Sequence, residues 1–147
     1  MPFIVDTFEK SGKHISEEFA SRICDVTECH SWYLQQCCYF VWNATAAEVS
    51  EQSFSYGLAQ MVNTNSPMFL NDTESLAVSQ VEMLRAINDG VQQLSSSKAT
   101  AKYHLGNPNT ISKNKKVLQH KDIVEMKGGR WVFVDPIYRL WFASEYD

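Results

Sequence analysis

In the first half of the chain apolar residues return every three or four positions, a pattern that predicts helices. "SEEFASRICDV" (16–26) places Phe19, Ile23 and Val26 near helical spacing. Ser16 stands where an N-cap belongs, and Glu17 and Glu18 fill the first turn, where the helix dipole favours negative charge. "HSWYLQQCCYFVWNAT" (30–45) is apolar on most faces, which predicts the central helix of a small bundle. A further helix over about 47–63 carries Val49, Phe54, Leu58, Met61 and Val62. "NTNSPMFLND" (63–72) gathers Asn, Ser, Pro and Asp and marks a boundary.

The second half has a different grammar. "SQVE" (79–82) reads as a capping box, Ser79 with Glu82, ahead of a stripe of Val81, Leu84 and Ile87 that Gly90 stops. A short helix follows over 97–104. "GNPN" then opens a third helix, with Asn107 as cap and Pro108 at its first position. That helix turns Ile111, Val117 and Leu118 inward, and Lys113 and Lys116 largely outward. Strands at 123–127 and 130–134 flank Gly128 and Gly129, a two-residue hairpin turn. Such a hairpin sets Met126 opposite Trp131 and Val124 opposite Phe133, all on the face that should cover the helices. Glu125, Lys127, Arg130 and Val132 take the other face. Asp135 and Pro136 cap and start a last helix, in which Ile137, Leu140 and Trp141 form a stripe that Tyr138 and Phe142 widen. Three helices followed by a hairpin make a winged helix-turn-helix. The expected fold is therefore mainly α with a small β-hairpin: a helical bundle over 1–70, then a winged-helix domain with a C-terminal helix over 71–147.

Charge sharpens this division. The net charge of −4 hides 4 Lys/Arg against 12 Asp/Glu in residues 1–90, and 9 against 5 in residues 91–147. The basic half is the candidate for phosphate contact. No apolar run approaches the ~20 residues of a membrane span, and "MPFIVDTFEK" lacks the basic and apolar regions of a signal peptide. A cytoplasmic location is the default expectation. The four cysteines (Cys24, Cys29, Cys37, Cys38) make no disulfide scaffold in a chain this long and are expected as buried, reduced thiols. A zinc site can be drawn from Cys24, Cys29, His30 and Cys37, but it lacks a CxxC pair.

The sequence shows no GxxxxGK[ST], HExxH or GxSxG. His14, His30, His104 and His120 are scattered among different elements, and none pairs with Cys or Ser at a familiar spacing. An enzyme acting alone is not expected. The positive signal is binding, since residues 98–130 hold eight Lys/Arg against Asp122 and Glu125. In helix-turn-helix proteins the second helix of the motif enters the major groove. This would bring Asn109, Thr110 and Lys113 near bases, and Lys116, Lys127 and Arg130 toward phosphates. The bland reading is that "SKNKK" is only a solvated helix face and Lys127 with Arg130 a solvated loop tip.

The segment "YHLGNPNTISKNKKVLQHKDIVEMKGGRWVFVDPIYRLWF" (103–142) resembles the C-terminal winged helix of archaeal-type and Bacteroidetes P-loop ATPases of the AAA+/STAND group, down to the Asp-Pro ending and its Trp. "FEKSGKHISEEFASRICDVTECHSWYLQQCCYFVWNAT" (8–45) resembles the helical lid that follows their ATPase core, and "NSPMF" (65–69) the junction between the two. The resemblance implies the C-terminal regulatory region of a bacterial ATPase, with ATP and Mg belonging to a nucleotide-binding core outside this sequence and no cofactor in the chain itself. The basic segment and the helix-turn-helix order point to DNA as partner, and the aromatic density of "IYRLWF" (137–142) to the alternative of an interaction or autoinhibitory module that packs on the ATPase core or another protein. The resemblance is compatible with oligomers and implies no membrane. Within the lid the loop 28–31 is where contact with nucleotide or core would fall. Asn114 departs from the family, which places an apolar residue there. Its polar group must face solvent or find a partner, and the rotation of the helix depends on which.

Overall fold

The computed structural model describes residues 2–146. They form eight helices and one antiparallel hairpin: α1 (Pro2–Lys10), α2 (Glu17–Thr27), α3 (Ser31–Ala44), α4 (Glu51–Glu74), α5 (Val78–Asn88), α6 (Ser97–Tyr103), α7 (Pro108–His120), β1 (Val124–Lys127), β2 (Arg130–Phe133) and α8 (Pro136–Tyr146). The mainly helical class with a small hairpin is as the sequence predicts. The chain divides into two compact units, Met1–Pro67 and Met68–Asp147.

In the first unit α1 packs on α2 and α2 on α3. The apolar periodicity does not announce α1, which buries Ile4 and Phe8. Ser16 caps α2 as expected, its Oγ accepting from the Phe19 amide at 3.2 Å. A short parallel bridge, His14 with Glu48, ties the segment before α2 to the one before α4. α3 is not the central helix expected: only Tyr33, Cys37 and Val41 are buried, one residue per turn, while Trp32 and Tyr39 are 62% and 58% exposed. An all-round apolar sequence says that burial is favourable but not which face obtains it. Gly57 of α4 allows the backbones to approach, since a Cβ there would lie 2.7 Å from the Val41 Cα and amide nitrogen.

The boundary stretch 63–72 is helical throughout, with Pro67 inside α4. Residues that favour turns by bonding to nearby backbone here bond back along the helix. Thr64 Oγ1 donates to the Gln60 carbonyl at 2.8 Å, Asn65 Nδ2 to that of Met61 at 2.9 Å, and Thr73 Oγ1 to that of Phe69 at 2.8 Å.

Two cysteines also depart from expectation. Cys24 and Cys29 form a disulfide, and only Cys37 and Cys38 are free thiols among the described residues. The cause is the end of α2. Glu28 and Cys29 both take left-handed conformations, φ 52° and 54°, and the Cys29 amide donates to the Cys24 carbonyl at 2.8 Å. This folds Cys29 back to a Cα separation of 4.6 Å from Cys24, within disulfide reach. The drawn zinc set is thereby lost, because two of its ligands are bonded to each other. Burial pushes the Cys37 thiol up to about 12 and the Cys38 thiol up to about 11, so both stay protonated at neutral pH.

The second unit is built around α5, which packs against α6, α7, α8 and β2 and buries Met83, Leu84, Ala86 and Ile87. The C-terminal helix closes the core. Asp135 Oδ1 caps it, accepting from the Ile137 and Tyr138 amides at 2.9 and 3.0 Å. Ile137, Tyr138, Trp141 and Phe142 are all buried. The rings of Tyr138, Trp141 and Phe142 join Phe69 and Phe133 in one cluster with centroid separations of 5.4–5.9 Å for Phe69–Tyr138, Phe69–Trp141 and Phe133–Phe142. Thr73 commits its proton to the Phe69 carbonyl, so the Tyr138 hydroxyl is the donor in their 2.6 Å bond. Burial raises the Tyr138 hydroxyl to about 12, which keeps it a donor.

Candidate nucleic-acid interface

The helix-turn-helix consists of α6, a turn and α7. Residues 104–107 make the turn, in which His104 has φ 54° and Gly106 φ 88°. Asn107 Oδ1 accepts from the Thr110 amide at 2.8 Å, and Pro108 takes the first helical position, where its missing N–H costs nothing. This start fixes the direction in which α7 leaves the turn.

Its rotation is fixed by Asn114. The residue is 4% exposed and points inward with Ile111 and Leu118. Asn114 Nδ2 donates to Ser79 Oγ at 3.0 Å, and Gln80 Nε2 donates to Asn114 Oδ1 at 3.2 Å. Gln80 Oε1 in turn accepts from the Ala77 amide at 2.9 Å. The expected capping box at Ser79 and Glu82 is therefore absent. The helix begins two residues earlier, with Ala77 at the N-cap; Ala77 has no side chain to cap with, and Gln80 satisfies the Ala77 amide. Ser79 is left to receive Asn114. Asn114 is thus the centre of a polar link between α5 and α7. Asn114→Ala should cost about 1 kcal/mol, because it removes two hydrogen bonds from a buried side chain and leaves the half-buried Ser79 and Gln80 without their partner. Urea denaturation measures it, and a loss below about 0.5 kcal/mol would show the link to be dispensable.

With Asn114 inward, the opposite face of α7 is set by 3.6 residues per turn. Asn109, Lys113, Lys116 and His120 fall at steps of four, three and four, and all are exposed. Thr110 is half-buried at the edge of this face, and its methyl lies where a Cβ on Gly106 would meet it, at 3.2 Å. His120 belongs to the stripe, and its spacing of four residues from Lys116 and seven from Lys113 is the signal in the sequence that places it there. No carboxylate among the described residues forms an ion pair with Lys113 or Lys116.

The hairpin has the expected register: Val124 with Phe133, Glu125 with Val132, Met126 with Trp131 and Lys127 with Arg130. Gly128 and Gly129 take φ 59° and 77°, the positive pair a two-residue turn needs. The inward face is only partly as expected. Val124 and Phe133 are buried at the base, whereas Met126 is 48% exposed, because the tip outreaches the helices it covers. Gln92 steadies this outer part, its Oε1 accepting from the Trp131 amide at 2.7 Å. Lys127 and Arg130 stand exposed and directly paired at the tip. Like charges in that position repel, and an anion between them would relieve the cost.

The six residues thus fall on two elements of one unit, Asn109, Thr110, Lys113 and Lys116 on α7, Lys127 and Arg130 on the wing. The loop 28–31 lies in the other unit, with Glu28, Cys29 and His30 exposed. No helix among the described residues is long and apolar enough to cross a membrane. A family model described as "Probable winged helix domain" matches residues 67–144, over half of the chain. No curated protein and no solved structure matches the chain. The matched region begins in α4 and ends in α8, enclosing the helix-turn-helix and the wing, and the chain belongs to this probable winged helix domain family.

Proposed function

We propose that the chain binds duplex DNA through α7 and the wing. The observation that carries this reading is the single exposed stripe of Asn109, Lys113, Lys116 and His120 on the second helix of the motif. Asn109 and Lys113 sit in its first half, the part that meets base edges in helix-turn-helix proteins, and Thr110 lies beside them. Lys116, Lys127 and Arg130 supply phosphate contacts that set register without reading sequence. If Lys113, Lys116, Lys127 and Arg130 each displace a counterion, a fourfold rise in salt should weaken binding about a hundredfold. Fluorescence anisotropy with a short labelled duplex tests this. Affinity that is flat with salt, or no binding at low salt, would overturn the proposal.

The resemblance of 8–45 and 103–142 to ATPase lids and winged helices supports placing this activity in the regulatory region of a P-loop ATPase. ATP and Mg would then be held by that protein's core. Among the described residues, no three His, Cys, Asp or Glu side chains come together as ligands for a metal. The reading frame upstream of Met1 is the direct check, where a phosphate-binding loop would support the assignment. The alternative of an interaction or autoinhibitory module draws on the aromatic density of "IYRLWF". Tyr138, Trp141 and Phe142 are buried in the unit's own core, which leaves DNA the better-supported partner.

A further inference from the structure

The Cys24–Cys29 bond has a sequence separation of 5 and joins the last turn of α2 to the loop directly after it. A disulfide stabilises a fold mainly by restricting the unfolded chain, and that effect is smallest for short loops. The turn it closes also has supports of its own. The Glu28 amide donates to the Asp25 carbonyl at 3.2 Å, the Cys29 amide to that of Cys24 at 2.8 Å, and the His30 amide to that of Thr27 at 3.0 Å. Thr27 Oγ1 donates to the Ile23 carbonyl at 2.7 Å. None of these bonds involves a sulfur, so the turn can keep the two Cα atoms at 4.6 Å, within disulfide reach, after the sulfurs part.

The two cysteines differ in access. Cys24 is 6% exposed and shares the buried face of α2 with Ala20 and Ile23, whereas Cys29 is exposed. Thiol–disulfide exchange begins with a thiolate attacking one sulfur, and access decides which. Cys29 is the member of the pair that offers this approach. Cys37 is buried and Cys38 half-buried, and burial keeps both protonated, so neither competes as a nucleophile. A joined pair with one sulfur open to solvent and its partner held behind it is suited to exchange rather than to bracing the fold.

We propose that Cys24–Cys29 is a reversible thiol–disulfide exchange site for small dithiols and disulfides, entered at Cys29 and resolved by Cys24. The site lies in the first unit and does not depend on DNA binding by the second. In reduction a dithiol releases a proton to water and its thiolate attacks Cys29 Sγ. The bond to Cys24 breaks, and the Cys24 thiolate takes a proton from water. The second thiol of the reagent, deprotonated in turn, attacks the reagent sulfur of the mixed disulfide and frees Cys29. The dithiol is oxidised by two electrons to its cyclic disulfide, and the pair becomes two thiols. In oxidation the Cys29 thiolate cleaves an external disulfide and expels one thiol. The Cys24 thiolate then attacks Cys29 Sγ and expels the second.

Asp25 and Glu28 are exposed beside the site, so uncharged reagents are the suitable probes. The full chain is treated with dithiothreitol, then freed of it and treated with hydroxyethyl disulfide, with acid quenching, alkylation and mass spectrometry at each stage. Cleavage after Glu28 separates Cys24 from Cys29, and cleavage after Tyr33 separates Cys29 from Cys37. Cys24 and Cys29 should become alkylated together on reduction and protected together on re-oxidation, with the same helical circular dichroism in both states. In Cys24→Ser, hydroxyethyl disulfide should stop at a mixed disulfide on Cys29. In Cys29→Ser the adduct on Cys24 should form about tenfold more slowly. The proposal fails if the oxidised chain lacks the bond between Cys24 and Cys29, or if the folded chain resists dithiothreitol. It fails equally if reduction abolishes the helical signal, which would mark a structural brace, or if the two single variants form adducts at equal rates.

Discussion

Trp141→Ala should destabilise the second unit by about 3–5 kcal/mol. Trp141 is 2% exposed, and its ring lies 5.9 Å from Phe69 and 5.7 Å from Tyr138, so removal opens a cavity between α4 and α8. That cavity cannot easily collapse. Asp135 pins the start of α8 through the Ile137 and Tyr138 amides, and the Tyr138–Thr73 bond ties the same helix to α4. A loss of this size is a large share of the roughly 5–15 kcal/mol that separates a typical folded domain from its unfolded chain. Circular dichroism during urea denaturation reports it without relying on the tryptophan signal. Trp32→Ala is the matched control, since Trp32 is 62% exposed, and it should stay within about 0.5 kcal/mol. A loss below about 1 kcal/mol for Trp141→Ala would mean that α8 is peripheral to the core.

What could be read in advance follows from how local each cause is. Asn107 with Pro108, Ser16 with Glu17, and Asp135 with Pro136 announce helix starts because a cap acts within three residues of itself. The Gly128–Gly129 turn fixes the hairpin register for the same reason, and with it the pairing of Lys127 and Arg130 at the tip. Features with tertiary causes are not legible. α3 shows apolar residues on most faces but buries only the Tyr33, Cys37 and Val41 line, a choice made by its neighbours. Asn65 carries a turn signal that is cancelled by bonds to the Met61 carbonyl and to Gln36. The Cys24–Cys29 bond depends on two successive left-handed residues, neither of them glycine. At the candidate interface the lysines and the spacing that adds His120 to their stripe are legible, whereas the bonds from Asn114 to Ser79 and Gln80 that hold this face outward are tertiary and are not.

The double variant Lys113→Glu, Lys116→Glu should abolish measurable binding to duplex DNA while leaving the fold intact. Both side chains are exposed on the face opposite Ile111, Asn114 and Leu118, so neither supports the core. Lys116→Glu sets an anion against a phosphate and Lys113→Glu sets one in the groove beside the base edges, so two of the four cations proposed to displace counterions change sign together. If each contact contributes about 0.9 to the slope of log affinity against log salt, their loss should lower the slope by about 2 wherever residual binding can still be read. Lys127→Gln should act differently. Neutralisation at the wing tip should lower affinity uniformly across sequences and reduce the slope by about 1, because a phosphate contact carries no base information. It should also relieve the repulsion with Arg130 and stabilise the free hairpin slightly. Asn109→Ala should flatten preference among duplexes more than it lowers affinity, as expected of a side chain near base edges. Electrophoretic mobility shifts at matched salt separate these outcomes. Unchanged affinity in the double charge reversal would remove α7 from the interface and, with it, the reading of this winged helix as a DNA-binding module.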